Sequence, residues 1–176
     1  MSFDLKTEEA KSFAFGFYRP AQIRGPISLA RFSCSSRGDA GRYGRFWLYG
    51  SMLEELAENA STLRSLIKDI SQSWAVCDDW GDKKLLSIME VPPGAAVPAM
   101  IGQAKFQPKV SSARPTHHSY EGGATQLVIP VVDEYGQRVD PMLAGYITRK
   151  LATEEMLTSP RKYLENPWAV ARRGKV

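Results

Sequence analysis

The residues of this chain whose types and spacing could do chemistry gather in one stretch. It runs Leu29-Ala30-Arg31-Phe32-Ser33, then Gly41-Arg42-Tyr43-Gly44-Arg45-Phe46-Trp47. An arginine at a strand end presents a planar, permanently charged fork to the oxygens of a diphosphate. Glycines close by let backbone N–H groups approach the same oxygens, and neighbouring aromatic rings can stack on nicotinamide or adenine. The competing explanation is structural: Gly41 to Gly44 as a plain turn ahead of a buried Phe46-Trp47 pair.

Other groupings are weaker. His117 and His118 are adjacent, so on a strand or loop they point apart and make poor co-ligands without carboxylates or thiolates nearby. Asp78, Asp79 and Asp82 do not have the spacing of an EF-hand loop and read as an acidic turn after a helix. Cys34 and Cys77 are too few for a thiolate zinc site and read as small buried hydrophobes. No metal is expected. The chain has neither a Gly-x-Ser-x-Gly elbow nor a P-loop, which argues against a serine-type hydrolase and a P-loop nucleotidase. Arg37-Gly38-Asp39 is a common tripeptide and is assigned no adhesive role.

The elements that must position these residues follow from pattern. With 176 residues, 43% hydrophobic and 24% charged, the chain has the composition of one ordinary globular domain. Its net charge of +4 is spread over the ends and a few loops, including Arg172, Arg173 and Lys175, and no basic stripe interleaved with aromatics appears. Nucleic acid is therefore not an expected partner. Residues Met1 to Lys11 lack the apolar core of a secretory signal, and no stretch approaches a membrane span, so synthesis in a cytoplasm is expected. Residues 1–12 read as a polar lead-in, and Phe13 to Tyr18 as a short strand ended by Pro20. Ser51 with Glu54 has the form of a capping box, and Leu53, Leu56, Ala60, Leu63, Ile67 and Ile70 predict one helix over about 52–72. Leu85–Val91, Ala96–Phe106 and Thr125–Val132 read as strands. The segment 107–124 reads as a long loop, functional or mobile. Ser159-Pro160 has the form of a short helix start, and the tail from Pro167 is expected to fray.

Three segments occur in an order and spacing that resembles the ADP-ribosyltransferase-like toxin superfamily. They are Arg31-Phe32-Ser33 with Gly44-Arg45-Phe46-Trp47, then Leu86 to Gly94, then Gly122-Gly123-Ala124-Thr125-Gln126-Leu127-Val128-Ile129-Pro130. The resemblance covers about residues 29–130 and implies an α+β fold with a split β-sheet and a long helix packed against it, the core spanning about 13–150. It implies that Arg31 pairs with the diphosphate of NAD(P)+, that Phe32, Ser33, Gly44 and Arg45 assist, and that Tyr43, Phe46 or Trp47 shape the nicotinamide side. Transferases of the superfamily usually have Glu where this chain has Gln126. An amide can hold the ribose but cannot act as a base at neutral pH, so the departure favours water as acceptor. In this it resembles the tuberculosis-necrotizing-toxin type of NAD glycohydrolases. Glu121, five residues before Gln126, keeps a protein-modifying transferase open, and a non-enzymatic binding module is the third alternative. The resemblance further implies NAD(P)+ as substrate with no resident cofactor, a cognate immunity protein as partner, a monomer, and delivery by a secretion system.

Overall fold

The computed structural model describes residues 3–75, 81–110, 115–133 and 135–169, and of residues 39, 40, 108–110 and 115–118 the backbone alone. Cys77, Asp78, Asp79 and the tail 170–176 lie outside the described residues, as do the side chains of His117 and His118.

The fold is α+β. Among the described residues one seven-stranded sheet is built from β1 (Phe13–Arg24), β2 (Ile27–Ser33), β3 (Phe46–Tyr49), β4 (Leu85–Val91), β5 (Ala96–Ala104), β8 (Thr125–Val128) and β9 (Ile147–Ala152). Their order is β1-β5-β8-β3-β2-β4-β9, and each neighbouring pair is antiparallel. A separate ribbon pairs β6 (Gln107–Val110) with β7 (Pro115–Tyr120), so part of the stretch expected to be a loop is a hairpin. The helices include α1 (Thr7–Lys11), α2 (Gly50–Asn59), α3 (Leu63–Trp74), α4 (Pro141–Gly145), α5 (Thr153–Thr158) and α6 (Pro160–Leu164).

Period-two alternation sends the two faces of the sheet into different cores. Ala30, Leu48, Leu86, Ile88 and Leu151 pack with Leu53 of α2 and Leu66, Ile70 and Trp74 of α3. Leu29, Trp47, Met89, Val91 and Leu127 form the opposite core with Leu143 of α4. The core also extends past residue 150, since Met156 and Leu164 are buried in the first cluster.

Two expectations need correction. The helical run is two helices: Ala60 takes an extended conformation, and Thr62 starts α3 through a capping box with Ser65. Ser51 lies inside α2 and caps nothing, because α2 begins one residue earlier at Gly50. Apolar periodicity continues in register across the break, which is why it read as one helix. Likewise β1 does not stop at Pro20, which pairs with Met100. As an edge strand β1 does not need a ladder N–H at every residue, so proline is tolerated there. The lead-in contains α1, and Ser159-Pro160 does open α6, with Pro160 in the first turn.

The sheet parts in its middle, and this creates the site. The β2–β3 pairing comprises Leu29–Tyr49 and Ala30–Leu48. The described β2–β3 pairing ends there, while Phe46 and Trp47 pair across the other edge of β3, with Val128 and Leu127 of β8. Arg31 to Ser33 thus diverge from Phe46 and Trp47, and α3 lies over the opening.

Candidate functional site

A cavity of about 350 Å³ occupies the opening between β2 and β3. Its β2 wall is Arg31, Phe32, Ser33 and Cys34; its β3 wall is Phe46, Trp47 and Leu48. Ile70 and Trp74 of α3 close one side, Gln126 of β8 contributes a polar side chain, and Arg37 and Lys83 stand at the remaining edge. Among the described residues the lining includes the cations Arg31, Arg37 and Lys83.

Arg31 spans the opening. Its Nη1 donates to the Phe46 carbonyl at 3.2 Å, where ladder bonds would otherwise continue. Its Nε is buried without a partner, as is the Ser33 Oγ. Burial, followed by the nearby positive charge of Arg37, pulls the Arg31 guanidinium down to about 10. It stays protonated at neutral pH, so a cation is held in a desolvated place beside another cation. An anion in the cavity would relieve both costs.

Gly44 explains how the guanidinium fits. A Cβ there would lie 2.2 Å from Arg31 Cζ, so the glycine is needed for close packing against the fork. The clashing atoms end a long side chain, which can swing away. Gly44→Ala is therefore expected to weaken anion binding in the cavity by about tenfold, through displacement of Arg31, with stability changed by less than about 1 kcal/mol. Titration with a ligand and denaturant unfolding of the same variant would check it; equal loss of both would contradict it.

Gln126 is buried at 6% exposure. Its Nε2 donates to the Ser12 carbonyl and to Ser12 Oγ, each at 3.0 Å. Because a carbonyl can only accept, these bonds fix which end of the amide is nitrogen and leave Oε1 for a ligand. The approach to β8 is held by the end of α3. Gly122 and Ala124 donate their N–H groups to the carbonyls of Gln72 and Ser73, and Trp74 Nε1 donates to Thr125 O at 2.8 Å. Orphan carbonyls of the last helical turn thereby find partners and lock β8 to the helix that walls the cavity. Gly122 has φ +72°, and a Cβ there would meet Ala104 O at 2.5 Å, so the first glycine of the pair is dictated by backbone.

The rim is also built. Ser35 N donates to Asp82 Oδ1 at 2.9 Å and the Ser35 hydroxyl donates to the same carboxylate, tying the 3-10 turn Ser35–Arg42 to the start of β4. These bonds hold the Asp82 carboxyl down to about 2. Asp82 is therefore a tether. No group of three His, Cys, Asp or Glu side chains placed for a metal occurs among the described residues. Cys34 Sγ contacts Ser36 Oγ at 3.0 Å, and that hydrogen bond lowers the thiol below its ordinary range.

Protein-family models, curated proteins and solved structures were compared with the chain, and none matches.

Of the residues singled out in the sequence, the structure brings Arg31, Phe32, Ser33, Phe46, Trp47 and Gln126 to one cavity. Trp47 is largely committed to the core: it is 2% exposed, and its indole N–H donates to Gly44 O at 2.8 Å. Four others are placed elsewhere. Tyr43 accepts a hydrogen bond from Lys150 Nζ at 2.7 Å and is not part of the lining. Arg45 is turned to the N-terminal segment, where it pairs with Glu9 at 3.0 Å and donates to Asp4 O. Gly44 acts through Arg31 rather than as a lining backbone donor. Glu121 is exposed and also lies off the lining; its N–H donates to Gln72 Oε1 at 3.4 Å.

Sequence reasoning missed Arg37, Lys83 and Ser12. Arg37 lies in the tripeptide that looked generic, six residues after Arg31 in the turn that follows the strand. Lys83 precedes β4 at φ +54° and is 4% exposed. A buried, left-handed lysine leaves no signature in composition or period.

Proposed function

We propose that this chain is an NAD(P)+ glycohydrolase, which cleaves the nicotinamide–ribose bond and passes the ribosyl group to water. The observation that carries the proposal is the cavity lining: the buried Arg31 guanidinium with its Nε unpartnered beside Arg37, aromatic walls, and a buried amide whose nitrogen is held by Ser12. A buried guanidinium beside a second cation suits a diphosphate, Phe32, Phe46 and Trp74 suit a flat ring, and Gln126 Oε1 suits a ribose hydroxyl. At about 350 Å³ the cavity is near the lower bound for ligand pockets, enough for one half of a dinucleotide. The parting of β2 from β3 supports reading the α+β fold as the split sheet of the ADP-ribosyltransferase-like superfamily.

The reaction asks little covalent chemistry of the protein. The C1′–N1 bond breaks with its electron pair leaving on nicotinamide, and the ribose ring oxygen shares the positive charge left at C1′. Water adds to C1′ and releases a proton to solvent. Arg31, Arg37 and Lys83 hold the diphosphate; Gln126 holds the ribose so that its dipole faces the developing charge. Binding energy at the phosphates is thereby spent on orienting the bond that breaks. A protein acceptor would need a base, and Glu121 lies off the lining, so the lining favours water over the transferase alternative. A cognate immunity protein and delivery by a secretion system belong to the same proposal, through the resemblance alone.

The test is product analysis. Purified protein and NAD+ in buffer are expected to yield nicotinamide and ADP-ribose in equal amounts by chromatography. Nicotinamide released only when lysate proteins are present, with label bound to one of them, would replace hydrolysis by transfer. Intact NAD+ in both cases would leave the binding-module alternative.

A further inference from the structure

The N-terminal segment carries a buried polar chain that ends on Gln126. Glu9 and Arg45 pair at 3.0 Å with side chains only 7% and 6% exposed. The other Glu9 oxygen accepts from Lys6 N at 2.9 Å. Ser12, directly after α1, donates its hydroxyl to Glu9 O at 2.6 Å. Its own carbonyl accepts from Lys105 N at 2.8 Å as well as from Gln126 Nε2. Ser12 is thus fixed from both sides, by α1 and by the end of β5, and both amide protons of Gln126 point to it. A buried ion pair is costly to desolvate and adds little net stability over apolar packing, so its value lies in specifying one arrangement. What is arranged here is the amide of Gln126.

We infer that Ser12 is a positioning residue for the proposed reaction: through its hydroxyl and carbonyl it holds the Gln126 amide with Oε1 presented to the cavity. The Glu9–Arg45 pair fixes Ser12 in turn. This rests on the NAD(P)+ reading of the cavity and extends it to the N-terminal segment. Without the hydroxyl, one amide proton loses its acceptor and the amide can rotate about its last bond. The carbonyl alone does not define its plane. Binding at the phosphates is untouched, so the loss falls on turnover.

The experiment compares wild type, Ser12→Ala and Ser12→Thr in NAD+ cleavage and in side-chain amide exchange of Gln126 by NMR without ligand. Ser12→Ala is expected to lower kcat roughly five- to tenfold with KM within about twofold, and one Gln126 amide proton is expected to exchange faster. Ser12→Thr, which keeps a hydroxyl, should restore both. A purely structural role would not separate kcat from KM in this way. If wild type turns NAD+ over and Ser12→Ala matches its kcat, the positioning role is overturned while the function stands. If wild type does not turn NAD+ over at all, the function falls and the positioning role with it, an outcome distinguished by the wild-type rate itself.

Discussion

Gln126→Ala is expected to lower kcat for NAD+ cleavage by about a hundredfold while KM stays within about threefold. The argument is one of differential binding. In the proposed reaction the amide oxygen faces a ribose that is neutral in the bound substrate and positive as nicotinamide departs, so its dipole is worth more late than early. Removing a preorganised dipole from a site that excludes water costs about 10²-fold or more in other enzymes. Fold damage is a separate matter. Gln126 is buried with both amide protons bonded to Ser12, so truncation also leaves the Ser12 carbonyl with Lys105 N as its one remaining donor among these bonds. A destabilisation of about 1–2 kcal/mol is expected, and kinetics belong well below the melting transition. A rate equal to wild type in a folded Gln126→Ala protein would remove Gln126 from the mechanism.

Arg31→Ala is expected to act on the other term, weakening NAD+ binding by about ten- to a hundredfold, the worth of one or two charge-assisted hydrogen bonds. Its effect on stability should be small. The bond to Phe46 O at 3.2 Å is lost, but so is the cost of a buried guanidinium beside Arg37, which pulls Arg31 down to about 10. These oppose one another. Arg31→Lys should restore only part of the affinity, because an ammonium lacks the planar fork and cannot reach both Phe46 O and a phosphate. Calorimetric titration of both exchanges in the slow Gln126→Ala background checks this; full affinity with Arg31→Ala would place the phosphates elsewhere.

Much of this site was readable because its parts are local. Arg31-Phe32-Ser33 and Phe46-Trp47 sit on strands with clear apolar patterns, and the turn between them is marked by glycine. Gly122-Gly123 announces a tight approach to β8. What stayed hidden was long-range. Arg45 and Tyr43 have the right residue types in the right stretch, yet they face Glu9 and Lys150, partners 36 and 107 positions away in sequence. Period alone could not say which face of the parted sheet would hold the ligand. Ser12 is 114 positions from Gln126, in a segment whose charged composition suggested only solvent. The break at Ala60 was hidden for the opposite reason: Thr62 and Ser65 do signal a cap, but apolar spacing runs through them undisturbed. The α4, β9 and α5 elements, on five- and six-residue stretches, were too short to show a period.

The most direct test of the claim that a nicotinamide dinucleotide occupies the cavity between β2 and β3 is calorimetric titration of NAD+ into Gln126→Ala, with the Arg31→Ala/Gln126→Ala double variant beside it. The single variant is expected to be slow enough for titration before its ligand is consumed. One saturable site per chain is predicted, lost or weakened at least about tenfold in the double variant. No binding to a folded single variant, or equal binding to both, would contradict the account.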